Sequence, residues 1–127
     1  MDDKVNLAEA LASFDDAFQP RIVGSFNGHK LQVAKTRGEF VWHSHPDTDD
    51  LFLVLSGRLT IQLRDRDVEL GPGELFVVPR GVEHCPRADD EAHVLLIEAD
   101  VLLIEAEGTP NTGDSTEREA APELRLG

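Results

Sequence analysis

The chain has 127 residues, of which 40% are hydrophobic and 29% charged, a composition that fits one globular domain with a single core and excludes a fibrous or wholly disordered chain. Its formal net charge of -13 argues against nucleic acid or an anionic membrane as partner, because both need a basic face. A lone Cys85 excludes an internal disulfide, no apolar run is long enough to span a bilayer, and the acidic start Met1-Asp2-Asp3 lacks a leader's apolar core, so a reducing, cytoplasmic setting is expected.

Residues 6–18 are expected to form an amphipathic helix, since Leu7, Leu11, Phe14 and Phe18 recur at helical spacing and Asn6 can cap with Glu9 three residues on. Pro20 ends it. Its polar face carries Glu9, Asp15 and Asp16 with no basic stripe, so the helix should pack outside the main core and not on a membrane.

Beyond Pro20 the hydrophobic period changes to two and turn signals arrive at short intervals, which reads as all-β. Asn27-Gly28 signals a tight hairpin between strands at 22–26 and 29–36. Further strands are expected at 39–43, 51–56, 58–64, 67–70, 75–78 and 92–100, separated by Gly57, Asp65-Arg66, Gly71-Pro72-Gly73 and Pro79-Arg80-Gly81. So many short strands imply a closed barrel or a two-sheet jelly roll, because a single open sheet would leave one face of the apolar stretch 51–55 uncovered.

Residues 94–100 read Val-Leu-Leu-Ile-Glu-Ala-Asp and residues 101–107 read Val-Leu-Leu-Ile-Glu-Ala-Glu, a tandem duplication of seven residues. Seven is odd, so a continuous strand would turn the second copy's side chains to the opposite face, and a break, a bulge or a new pairing partner is expected. From Gly108 the chain is polar and charged, with little that could form a core, and is expected to be an extended strap or tail. Of the charges from Cys85 onward, eleven are acids and three are arginines, which reads as a solvated surface. The expected organisation is therefore a helix over 1–20, a barrel over 21–107 and a polar tail over 108–127.

The residues that carry chemistry are His43, His45, Asp50 and His84. Strand alternation places residues i and i+2 on one face, so His43 and His45 would present both imidazoles together with Ser44 turned away. His84, after the Pro79-Arg80-Gly81 turn, is the best-placed third imidazole, and Asp50 opens the next strand with an oxygen ligand. Such a set suits one divalent ion among iron, manganese, nickel, zinc, cobalt and copper, which ligand type alone does not separate. Around an octahedral ion four protein ligands leave about two open positions, whereas a tetrahedral zinc would be closed. Glu39, expected on the face of His43 and His45, is a candidate acid/base group, and Arg80 a candidate contact for an anionic substrate. His29 and His93 read as hydrogen-bonded surface residues, and Cys85 as a packing residue.

These segments resemble the two signature motifs of the cupin superfamily. The first runs Gly38, His43-Ser44-His45, Asp50 and Gly57, and the second runs Gly73, Pro79-Arg80-Gly81 and His84. Three positions depart from the family pattern: Gly38 stands one residue nearer His43, Asp50 replaces the usual glutamate, and Ala88 stands where an asparagine often closes the second motif. The resemblance implies an all-β cupin jelly-roll barrel with an N-terminal helix, a metal held by the four residues above, and a homodimer. It covers dioxygenases, isomerases, epimerases, decarboxylases and sensing or storage proteins, so the fold assigns no reaction. The chain contains no tyrosine, which removes the phenolic proton donor usual in cupin sugar epimerases. Three expectations follow: a metal-dependent enzyme acting on a small organic molecule, a metal- or metabolite-binding sensor or storage module, or a purely structural barrel.

Overall fold

A computed structural model describes residues 4–99. Asn27 and Gly28 adopt φ of 54° and 78°, the mirror-image turn whose twist suits a tight hairpin, and they close β1 (Arg21–Phe26) on β2 (His29–Glu39) with Phe26 paired to His29. The next strands, β3 (Asp50–Ser56), β4 (Leu59–Leu63), β5 (Asp67–Leu70) and β6 (Leu75–Val78), match the expected segments to within a residue at either end. The last, β7 (His84–Ala99), is 16 residues long.

Among the described residues all pairings between these strands are antiparallel, in the order β1-β2-β7-β3-β6, with β4 beside both β5 and β7. The length of β7 explains this branching. On one side it pairs with β2; on the other, its first residues pair with β4 and its later ones with β3. The fold is the expected all-β jelly-roll barrel.

Three local expectations differ from the structure. No strand forms at 39–43: β2 continues through Glu39, and the following segment touches β7 only at isolated points, Phe40 N–H to Pro86 O and the His43–His84 bridge. The last strand begins at His84 and not at 92, because Pro86 does not interrupt it. The carbonyl of Pro86 faces Phe40, so its missing N–H also points to that side and removes no bond to β4. Finally, α1 spans only Leu7–Ala12, with Asn6 Oδ1 accepting from Glu9 N–H at 3.0 Å as its cap. The helix stops at Ser13, and Phe18 adopts a φ of 58° that no helix continues.

The strand β2 is buried on both faces, so neighbouring residues serve different cores. Ala34 packs inside the barrel with Phe52, Val54, Leu59, Ile61 and Val94. Val33 points outward and is covered by Leu11 and Phe14. Buried Lys35 donates to Phe14 O at 2.6 Å, and the Arg21 guanidinium lies 4.3 Å from the Phe14 ring centroid, so two cations fix the segment after α1 against the barrel. Among the described residues no helix is long and apolar enough to cross a membrane. Asp100, the second heptapeptide copy at 101–107 and the expected tail at 108–127 lie outside the described residues.

Candidate metal centre

His43 and His84 come from different segments but form a bridge that exchanges both backbone hydrogen bonds, His43 N–H to His84 O at 3.0 Å and His84 N–H to His43 O at 2.9 Å. This pairing sets the two rings 4.3 Å apart by centroid. His45 follows one pleat later, its ring 5.1 Å from that of His43, and its carbonyl is held by Gly81 N–H at 2.8 Å. The i, i+2 convergence expected from a strand is therefore delivered by a single bridge and the turn at Gly81. Asp50, the first residue of β3, pairs with Val78 and directs its carboxylate at the imidazoles: Oδ2 lies 2.9 Å from His45 Nε2 and 3.5 Å from His84 Nε2.

One ligand atom from each of the four residues falls within 4.8 Å of all the others. Two ligands at right angles around an ion about 2.1 Å away stand roughly 3 Å apart, and opposite ones roughly 4.2 Å, so the cluster has the size of one coordination shell. The nitrogens are also correctly turned. His43 Nδ1 and His84 Nδ1 each meet a backbone carbonyl two residues upstream, Val41 O and Val82 O, both at 2.9 Å. This fixes the proton on Nδ1 and leaves Nε2 with a free lone pair, the arrangement found in metal-ligating histidines.

The electrostatics agree with the geometry. Burial, with the neighbouring His84 and His45 rings, pushes the His43 imidazole down to about 3, so it is neutral at ordinary pH. Burial alone would raise the Asp50 carboxyl, but in the metal-free chain an Nε2–H turned to it from His45 or His84, the proton that a metal ion would replace, outweighs burial and holds that group well below the usual carboxylate range. Asp50 Oδ1 and His84 Nε2 are buried and make no hydrogen bond within the protein. Leaving such atoms unsatisfied costs about 1–3 kcal/mol each, and a cation among them would remove the cost. The donor set thus fits a divalent ion.

Beside the cluster lies a cavity of about 50 Å³, reached by His43 and Asp50 and walled mainly by apolar residues such as Phe18, Phe40, Phe52 and Leu96. Glu39 does not join the four clustered residues: it is exposed and accepts from Gln62 Nε2 at 2.9 Å. Arg80 is exposed and donates through its backbone N–H and its guanidinium to Asp49 Oδ1, at 2.8 and 3.4 Å. His29 and His93 bond to Asn27 O and Glu91, and burial with the Glu39 charge pushes the Cys85 thiol up to about 12, which keeps it protonated.

Sequence reasoning missed Glu98. It is 4% exposed, lines the cavity, accepts from Gln32 Nε2 at 2.9 Å, and has a second oxygen, Oε1, with no partner. The signal was the inward period of β7, in which Ala92, Val94, Leu96 and Glu98 share a face and the fourth is charged. Burial, and next the Asp50 charge, push Glu98 up to about 7. An unfolded chain releases this proton near 4.5, so between the two values folding takes a proton up. In metal-free protein the contribution of Glu98 to stability is complete below about pH 4.5 and lost as pH rises through about 7. Urea unfolding across that range should show this fall in wild type and a flatter profile in Glu98→Gln; equal profiles would contradict it.

The cupin domain family model matches residues 30–99. Uncharacterized protein YdbB of Bacillus subtilis is 33% identical over 87 residues, which are 65% of this chain and 77% of YdbB. A crystal structure of a cupin-2 domain containing protein from Shewanella frigidimarina is similar at 38% identity and a TM-score of 0.74, covering 76% of this chain and 94% of that one. Protein NMB1881 from Neisseria meningitidis is similar at 28% identity and a TM-score of 0.71, covering 77% and 100%.

Proposed function

The chain belongs to the cupin domain family, and from that premise we propose that it is a metal-dependent enzyme acting on a small organic molecule, with one divalent ion held by His43, His45, His84 and Asp50. The observation that carries this reading is the adjacency of two features: four converging ligand atoms and an apolar cavity that shares His43 and Asp50 with them. Bound there, the ion would act as a Lewis acid toward a molecule in the cavity. The chain's own residues supply the rest. Val41 O and Val82 O orient two imidazoles, and the phenylalanine walls exclude water. Glu39 and Arg80 enter the proposal as outer groups for proton and anion handling, each already engaged by another side chain.

Elemental analysis of the chain purified from its own cell tests this reading, with about one divalent ion per chain expected. Asp50→Ala should weaken binding by at least the roughly 10- to 100-fold that loss of an outer hydrogen-bond partner costs, while three imidazoles still hold the ion. Unchanged affinity would make the site three-histidine. Metal binding with no product from any substrate tried, with and without air, would favour a sensor or storage module. The proposal includes a homodimer in the cytoplasm, for which exposed Ile22 and Phe26 on edge strand β1 offer apolar surface. A light-scattering mass of one chain would contradict the dimer.

A further inference from the structure

The carboxyls of Asp50 and Glu98 are cross-strand neighbours on the inner face, because Leu51 of β3 pairs with Ile97 of β7 and each carboxyl residue stands one step further on. The same face of β2 brings Gln32 to Glu98. Only one of the two carboxyls belongs to the four-ligand cluster. Glu98 instead lines the cavity, with Oε2 fixed by Gln32 and Oε1 buried without a partner.

A buried carboxyl oxygen left without a hydrogen bond is costly, and the gain from supplying a donor is correspondingly large. The surrounding walls are mostly hydrocarbon, and the other unpartnered carboxyl oxygen of a lining residue, Asp50 Oδ1, belongs to the four-ligand cluster, so with a metal ion held there Glu98 is the carboxyl left for such a donor. The volume, about 50 Å³, has room on the order of four water-sized groups, which limits the ligand to a compact molecule or the end of a longer one. We propose that Glu98, fixed by Gln32, is the recognition point for a small, mainly apolar ligand that offers it an N–H or O–H donor beside the metal cluster. This names the ligand chemistry of the site proposed above and rests on that reading for its function.

Pyrrole and furan test it, since they share a shape while pyrrole donates an N–H and furan cannot. Titrated into the full chain well above neutral pH and followed by the amide resonances of residues 94–98, pyrrole should bind about tenfold tighter or more, and N-methylpyrrole, which has lost the donor, should resemble furan. In Glu98→Gln the side-chain carbonyl can still accept from Gln32 while an NH₂ takes the place of the unpartnered Oε1, so the preference for pyrrole should vanish or reverse. Equal binding of pyrrole and furan by wild type would overturn the proposal without recourse to any variant, and so would an undiminished preference in a folded Glu98→Gln. Elemental analysis of the same samples separates the two readings. A chain that binds no metal but prefers pyrrole overturns the metal reading alone; a metal-loaded chain without the preference overturns this proposal alone.

Discussion

Replacing His43 with alanine is expected to lower metal affinity by more than the roughly 10- to 100-fold that loss of an outer hydrogen-bond partner costs, enough to leave the purified chain metal-free. His43 is the informative choice among the histidines because its backbone, not its ring, makes the bridge to His84. Alanine keeps both of those hydrogen bonds. The fully buried His84 is less suitable, since removing its ring would also open a hole in the interior and confuse lost ligation with lost packing. Stability supplies a second readout. Metal that binds only the folded chain raises the melting temperature, so metal-loaded wild type should melt above both apo wild type and His43→Ala, and the latter two should melt close together. Full metal content in His43→Ala would remove this residue from the ligand set.

The largest effect on stability is expected at Gly57, the turn between β3 and β4. Its φ is +83°, a conformation that L side chains rarely adopt, and a Cβ built there would stand 2.7 Å from Glu91 O and 2.8 Å from Ala92 Cα. Both obstacles are backbone atoms of β7, which is tied to β2 and β3 and has little freedom to withdraw. Strain at the left-handed position alone costs about 1–2 kcal/mol, and displacing a central strand adds to it. Gly57→Ala should therefore lose about 3 kcal/mol or more, which for a domain of this size lowers the melting temperature by on the order of 10–20 °C. Gly28 is the control. It too has positive φ, 78°, but an added Cβ meets nothing within 4 Å, so Gly28→Ala should cost only the backbone strain. Equal losses at the two positions would show that the close approach to β7 contributes nothing.

What could be read from the sequence followed from how local each signal is. The strands bounded by turn residues, such as Asp67–Leu70 and Leu75–Val78, were legible because period-two patterning and flanking glycines or charges act within a few residues. The His43, His45, Asp50 and His84 cluster was legible through chemical type and spacing, although the reason given for its convergence, a strand at 39–43, is replaced by a single bridge. The start of β7 was hidden because Pro86 and a run of charged residues mimic a loop, and only its neighbours show that the missing N–H is harmless. The expected helix over 6–18 exceeds the observed one because Phe14 and Phe18 keep helical spacing while serving different ends: Phe14 caps the outer core and Phe18 turns to stack on Phe40 at 5.0 Å. In the sequence Glu98 is one charge among many in an acidic region. Its burial follows from strand register, and register depends on β2 and β3, which are distant in sequence.

In the function proposed above, the four residues hold one divalent ion while leaving positions open toward the cavity. Titration of the metal-free chain with cobalt(II), followed by visible absorption, tests it most directly. Saturation is expected at about one equivalent, with the weak bands of a five- or six-coordinate ion that shift when azide enters an open position, and the signal should be lost in His43→Ala. Intense bands of a closed tetrahedral site that azide leaves unchanged, or no saturable signal at all, would contradict it.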